Sequence, residues 1–208
     1  MLPLMLDLGR LRLALIGEGE AALKRLQRLD AAGARALTVY AASPSAELAA
    51  AAGIRLERRA PRADELAACQ IVFIAGLDDA ARDRHAAAAR GAAALVHVED
   101  APLLSDAQAP AVLRRGDLTI AISTAGQSPG VAVALKHWLG RLIGPEWRDR
   151  LEQAAALRRS WRAAGLAPTA VAQRTEEYLA ASGWLPDAAP APAPQPVNDR
   201  GAGRIRQS

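Results

Sequence analysis

Between residues 11 and 98 the chain alternates short apolar runs with alanine-rich stretches, and this rhythm limits the folds open to it more than any other feature. Leu11–Ile16, Ala36–Tyr40, Ile54–Leu56, Ile71–Ala75 and Ala94–Val98 read as strands. Glu20–Ala32, Ser45–Ala52, Ala63–Ala68 and Asp78–Arg90, set between them, read as helices. Several of the strands are apolar throughout, as strands covered on both faces must be. Strand and helix in turn predict an α/β fold with a doubly wound parallel sheet. Aromatic residues are only 3% of the chain and alanine fills most apolar positions, so the cores should be thin contacts between small side chains.

After Asp100 the rhythm changes. Leu118–Ser123 reads as one more strand, followed by the loop "TAGQSPG" and a helix from Pro129 to Ile143. Ser128 suits that helix's N-cap and Pro129 its first turn, because serine accepts a free N–H and proline lacks one. Gly144-Pro145 closes it, and Glu146–Ala164 and Thr169–Ala181 read as two further helices. From Pro186 the chain is Pro/Ala-rich and then polar, with almost nothing to bury, so 186–208 is expected to be a disordered tail.

Composition excludes some functions. The formal charge is +4, but Lys24 and Lys136 are the only lysines, and the arginines are scattered among Asp and Glu. Dispersed charge of this kind argues against a nucleic-acid surface, which needs clustering. The apolar N-terminus is broken by Asp7, Arg10 and Arg12, and no run suits a membrane span, so a soluble, cytoplasmic protein is expected. Cys69, the only cysteine, reads as a small buried residue. No Cys/His spacing resembles a fixed metal site.

The first strand runs into "GEGEAA", with Gly17, Gly19 and Ala22 at the spacing of a dinucleotide-binding turn. Gly17 permits the tight corner, Gly19 lets backbone approach a pyrophosphate, and Ala22 lets the helix pack on the strand. Against this, Glu18 places a carboxylate inside the turn. The residues after the second strand, "VYAASPS", hold neither the acid that usually binds a ribose hydroxyl nor an arginine for a 2′-phosphate. From these residues alone, a cofactor turn and a purely structural corner both stay open.

Three longer stretches extend the reading. "LPLMLDLGRLRLALIGEGEAALKR" at the start, "VHVEDAP" at 96–102 and "PAVLRRGDLTIAISTAGQSP" at 110–129 together resemble the siroheme synthase amino-terminal family, the precorrin-2 dehydrogenase / sirohydrochlorin ferrochelatase proteins. The resemblance implies a Rossmann-like domain over 1–112, a dimerisation segment over 113–145 and a small helical domain over 146–185, in a homodimer. It implies NAD-dependent oxidation of precorrin-2 to sirohydrochlorin, with ferrous iron insertion as a further step and iron passing through as substrate.

By the same resemblance Asp100 is the catalytic base. Gly17, Glu18, Gly19, Glu20, Ala21, Ala22, Tyr40, Ala41, Ala75, Gly76 and Leu77 border NAD. Ser123, Thr124 and Ser128, with Arg114 and Arg115 beside them, face the carboxylates of the tetrapyrrole. The chain departs from the family pattern at Glu18, where a third glycine is usual, at Leu77, where a threonine is usual, and at His97, in place of an asparagine. The first two departures keep a second expectation open, a tetrapyrrole-binding dimer without cofactor. His97 is expected either to fill the asparagine's place as a neutral strand residue or to titrate beside Asp100.

Overall fold

In the computed structural model, which describes residues 2–185, successive side chains of the first strand enter two different cores. Leu13 and Leu15 of β1 (Arg12–Gly17) pack on one side, Ala14 and Ile16 on the other. The same alternation divides β4 (Ile71–Ala75) into Ile71, Phe73 and Ala75 against Val72 and Ile74. This follows from the period of two along a strand that is covered on both faces.

With β2 (Ala36–Tyr40), β3 (Leu56–Glu57) and β5 (Leu95–Val98) these strands form one parallel sheet in the order β3-β2-β1-β4-β5. Helices α1 (Gly19–Ala31) and α2 (Ala46–Ala52) supply Ala22, Leu26, Leu29, Leu48 and Ala52 to one core. On the other face α3 (Ala63–Ala67) and α4 (Asp79–Gly91) supply Leu66, Ala86 and Ala89. The strand order reverses between β1 and β4, which places the crevice of a doubly wound sheet at their carboxyl ends.

The expected third strand is displaced. Gly53–Arg55 is a 3-10 turn with Ile54 fully exposed, and only Leu56 and Glu57 pair with β2. Cys69 is half-buried at the margin of the second core, where its thiol donates to the Glu65 carbonyl. Burial pushes that thiol's pKa up.

The segment after Asp100 contains a strand the periodicity did not reveal. β6 (Ala111–Arg115) pairs antiparallel with β7 (Leu118–Ile122) through the turn Gly116-Asp117, and the expected domain boundary at 112 falls inside it. α5 (Pro129–Leu142) packs against this hairpin, yet only Ala132 of the helix is buried. Val131, Val133, Leu135, Trp138 and Leu142 stay 41–52% exposed.

Compact packing breaks between Pro145 and Glu146. Beyond it, α6 (Trp147–Ala163) and α7 (Pro168–Ala181) form a helical pair with Val171 buried. There the Arg150 guanidinium lies 5.4 Å from the rings of both Trp147 and Trp184, and Tyr178 meets Trp184 edge-on. The expected tail, 186–208, lies outside the described residues. No helix among the described residues is long and apolar enough to cross a membrane.

One ion cluster sits inside the sheet–helix layer. Arg25 of α1 is 5% exposed and lies over the ring of Phe73. It donates to Glu99 through Nε, at 2.9 Å, and through Nη2. Its Nη2 also lies 2.9 Å from His97 Nε2, while His97 Nδ1 lies 2.9 Å from the Ala107 carbonyl. These two ring contacts hold His97, a strand residue, in the α1 layer. The imidazole of His97 and the guanidinium of Arg25 hold the Glu99 carboxyl down to about 2.

A carboxylate depressed in the folded state stabilises above its unfolded pKa and loses that contribution as pH falls toward its folded one. Glu99 should therefore contribute fully above about pH 4.5 and lose its share between about 4.5 and 2. Allowing for solvent at a side chain one-quarter exposed, that share is about 2 kcal/mol. Urea unfolding at pH 7 and pH 3 should show Glu99→Gln less stable at pH 7 by about 3 kcal/mol, because Arg25 is left buried without its counter-charge. The variant should also lose less than the native chain on acidification.

Candidate functional site

The site begins where two backbones touch. A Cβ at Gly17 would lie 2.0 Å from the Ala75 carbonyl oxygen, and one at Gly76 would lie 2.1 Å from that of Glu18. The Glu18 amide donates to Ala75 O across the same gap. Only glycine fits at either place, so the carboxyl ends of β1 and β4 close on each other through bare main chain. Gly19 differs: its φ is +64° and a Cβ there would meet no atom within 4 Å. It faces open space at the first turn of α1.

No side chain caps α1. Its first amides and its dipole therefore face outward over Gly19, the arrangement that receives an anion. Ala22 is fully buried beneath them, Ala21 lies against Gly76, and Glu20 pairs with Lys24 on the exposed side. This cradle fits the pyrophosphate of a dinucleotide.

Glu18 does not lie among those amides. Its Oε1 accepts the backbone N–H of Ser43 at 2.8 Å, reaching to the loop after β2. Beside it, Ala41 is buried and donates to the Glu57 carbonyl, while the Tyr40 ring turns into the second core under the Arg59 guanidinium. At the end of β4, Leu77 packs against the second core where a hydroxyl was the family's usual choice. Asp78 caps α4 by accepting the Ala81 N–H at 2.8 Å.

Asp100 stands at the end of β5, exposed and with φ +56°. Aspartate tolerates that left-handed backbone better than most residues. Because β4 separates β5 from β1, the Asp100 turn is two strand spacings, about 10 Å, from the glycine turn along the same sheet edge. Its neighbour Glu99 is fixed to α1 by Arg25, and His97 belongs to that cluster and not to the Asp100 surface. The polar stretch from Ser105 seals the outer edge of β5. Ser105 Oγ accepts the Val98 N–H, and Asp106 accepts that of Val96.

The loop after β7 comes back to this place. Gly126 lies against Pro102, two residues beyond Asp100, with contacts of 3.4 Å and 3.6 Å for a Cβ built there. Ser123 Oγ accepts the Ala125 N–H, and Thr124 Oγ1 accepts the Ser128 N–H at 3.2 Å. Thr124 thus closes the loop, and Ser128, expected to cap α5, makes no cap bond with its side chain.

The two arginines are not at that end of the helix. Arg115 donates to the carbonyls of Ile143, Gly140 and Arg114, so it closes the carboxyl end of α5. Arg114 is opposite Thr119 and donates to it, four residues, or about 13 Å of strand, from Ser123. The expectation that both flank the start of α5 is corrected: the unseen hairpin carries them to its far end. Sequence reasoning also missed Arg25, Glu99 and Ser43, whose roles depend on long side chains crossing between elements. No three His, Cys, Asp or Glu side chains converge as a metal site among the described residues.

Comparison with known proteins agrees with this geometry. Residues 4–111 match a family model described as "Putative NAD(P)-binding". Siroheme synthase of Methylococcus capsulatus is 36% identical over 160 residues, covering 76% of this chain and 34% of that protein. Siroheme synthase of Ectopseudomonas mendocina is 34% identical over 164 residues, covering 73% and 35%. The chain thus spans about a third of the length of these relatives. Among solved structures, "SirC, precorrin-2 dehydrogenase" superposes with a TM-score of 0.66 at 24% identity, covering 86% of this chain and 89% of that one. The sheet order, the glycine turn and these matches together establish that the chain belongs to the siroheme synthase amino-terminal family, with its Rossmann-like NAD(P)-binding fold.

Proposed function

We propose that this chain is an NAD-dependent precorrin-2 dehydrogenase of sirohaem biosynthesis, acting in the cytoplasm, with ferrous iron insertion into sirohydrochlorin as a second step. The observation that carries the reading is one sheet edge. It bears an uncapped helix start beneath Gly19, a carboxylate at Asp100, and the Ser123–Ser128 loop against Pro102. NAD⁺, when bound, accepts the hydride that leaves the macrocycle. The chain must then remove a proton and hold a polyanionic substrate.

Asp100 is the group for the proton, because it is a free carboxylate at the carboxyl end of a strand, where ligands of doubly wound sheets bind. After passing its proton to solvent, the same carboxylate can accept one of the two pyrrole N–H protons released as ferrous iron enters as substrate, the other leaving to solvent. Gly17, Gly19 and the first amides of α1 hold the pyrophosphate, and Ala75 to Leu77 form the floor beside it. Ser123 and Thr124 offer hydroxyls to the substrate's carboxylates. The outward course of Glu18 favours a bound cofactor, since its carboxylate leaves the helix amides free, while Leu77 is the remaining departure that motivates a relative without cofactor.

The segment 113–145 is proposed as a dimerisation segment of a homodimer. A two-stranded hairpin is marginal by itself, and the exposed apolar row on α5 needs a cover. Trp138→Glu should shift the sedimentation coefficient from dimer to monomer.

Anaerobic turnover of precorrin-2 with NAD⁺, followed by sirohydrochlorin absorbance and then by addition of ferrous iron, tests the activity. Asp100→Asn keeps a residue tolerant of positive φ, so the circular dichroism should be unchanged while the rate falls by about 10²-fold or more. An unchanged rate would remove Asp100 from the mechanism. Gly19→Ala should cost about 1–2 kcal/mol of stability from its backbone angle, yet weaken NAD⁺ binding at least tenfold in calorimetry, because the methyl stands where the pyrophosphate must approach.

A further inference from the structure

The family description leaves NAD and NADP undivided, and the chain lacks both usual determinants after β2. In most turns of this kind an acid at the end of the second strand binds the adenosine ribose, and an arginine there admits a 2′-phosphate. Here the loop Ala41–Ser45 contains neither. A carboxylate nevertheless stands beside that loop, since Glu18 reaches over from the glycine turn and is fixed on the Ser43 amide at 2.8 Å.

We propose that Glu18 is the specificity-determining residue for the dinucleotide: its carboxylate, anchored on Ser43, takes the place of the absent acid, accepts a ribose hydroxyl and excludes a 2′-phosphate. The inference rests on the NAD-dependent reading above and adds the residue that selects NAD over NADP.

Three observations bear on it. Strands β1 and β2 are neighbours with Ile16 opposite Tyr40, so Glu18 and Ser43 emerge side by side at the sheet edge, over the mouth of the first crossover. Only Oε1 is engaged by Ser43, which leaves Oε2 to accept a hydroxyl proton. The Arg59 guanidinium, over the Tyr40 ring, is paired with Glu57 and Glu65. That guanidinium is committed to those carboxylates. The Ser43 N–H, which could itself receive a phosphate oxygen, is already occupied by a negative group. Anion repulsion and a blocked donor thus act together against NADP.

Calorimetric titration of the native chain, Glu18→Gln and Glu18→Gly with NAD⁺ and with NADP⁺ tests the inference by binding alone. The native chain should bind NAD⁺ at least tenfold more tightly than NADP⁺. Glu18→Gln keeps the length of the side chain and removes its charge, so the preference should shrink about tenfold, with NAD⁺ weakened and NADP⁺ strengthened. Glu18→Gly should shift it in the same direction, which guards against a peculiarity of either variant. NAD⁺ binding with an unchanged preference in both variants, tighter NAD⁺ binding in either, or a native preference for NADP⁺ would overturn the role of Glu18 and leave the dehydrogenase reading standing. Binding of neither dinucleotide by the native chain would overturn that reading, and this inference with it.

Discussion

The backbone contact between the carboxyl ends of β1 and β4 is the constraint on which the rest of the site depends. Gly17 and Gly76 each approach a carbonyl of the other strand's extension at a distance that no side chain survives. That closure sets the start of α1 directly over the switch point, with its amides turned outward. It also determines where Glu18 goes. With its main chain held against Ala75 and Gly76, the side chain leaves the turn toward β2 and not into the phosphate cradle. A glutamate that looks incompatible with an anion-binding turn in sequence is accommodated by the geometry that makes the turn.

A second link runs through α1 in the other direction. Arg25, one turn beyond Ala22, ties the helix to Glu99, and Glu99 immediately precedes Asp100. The element whose amino end would receive the cofactor also holds the turn that carries the candidate base. Burying a guanidinium is tolerable only because carboxylate, imidazole and the Phe73 ring all face it. The apolar core of this layer ends at Phe73, and the charged cluster continues it across β5.

What the sequence disclosed followed from periodicity. Largely apolar runs identified β1, β2, β4 and β5, because strands covered on both faces are built mainly of apolar residues, with Thr38 in β2 and His97 in β5 among the exceptions. "GIRLE" misled because Ile54 is apolar yet fully exposed, and the pairing consists of only two residues after it. "AVLRR" escaped notice because two arginines end it and its partner lies on the other side of a turn. The Gly116-Asp117 dipeptide between two apolar stretches was the signal for that hairpin. Of the candidate site, the glycine turn, Asp100 and the hydroxyl loop were legible as positions. The destinations of Glu18, Arg25 and Arg115 were not, since a long side chain can reach several elements and its spacing along the chain does not choose among them.

The missed hairpin changes how the segment after the sheet must be understood. Arg115 closes the carboxyl end of α5, and Leu113 and Ala132 are the buried apolar residues of the hairpin and helix. Burial on that scale is small beside the entropy of ordering about thirty residues. In the homodimer proposed above, the exposed row from Val131 to Leu142 would form half of a core whose other half is a second copy, related by a two-fold axis so that like faces like. In such a dimer the Ser123–Ser128 loop, which opens α5, is set by the same packing that orders the helix. Assembly and the shape of the substrate side of the site would then be one property of the chain.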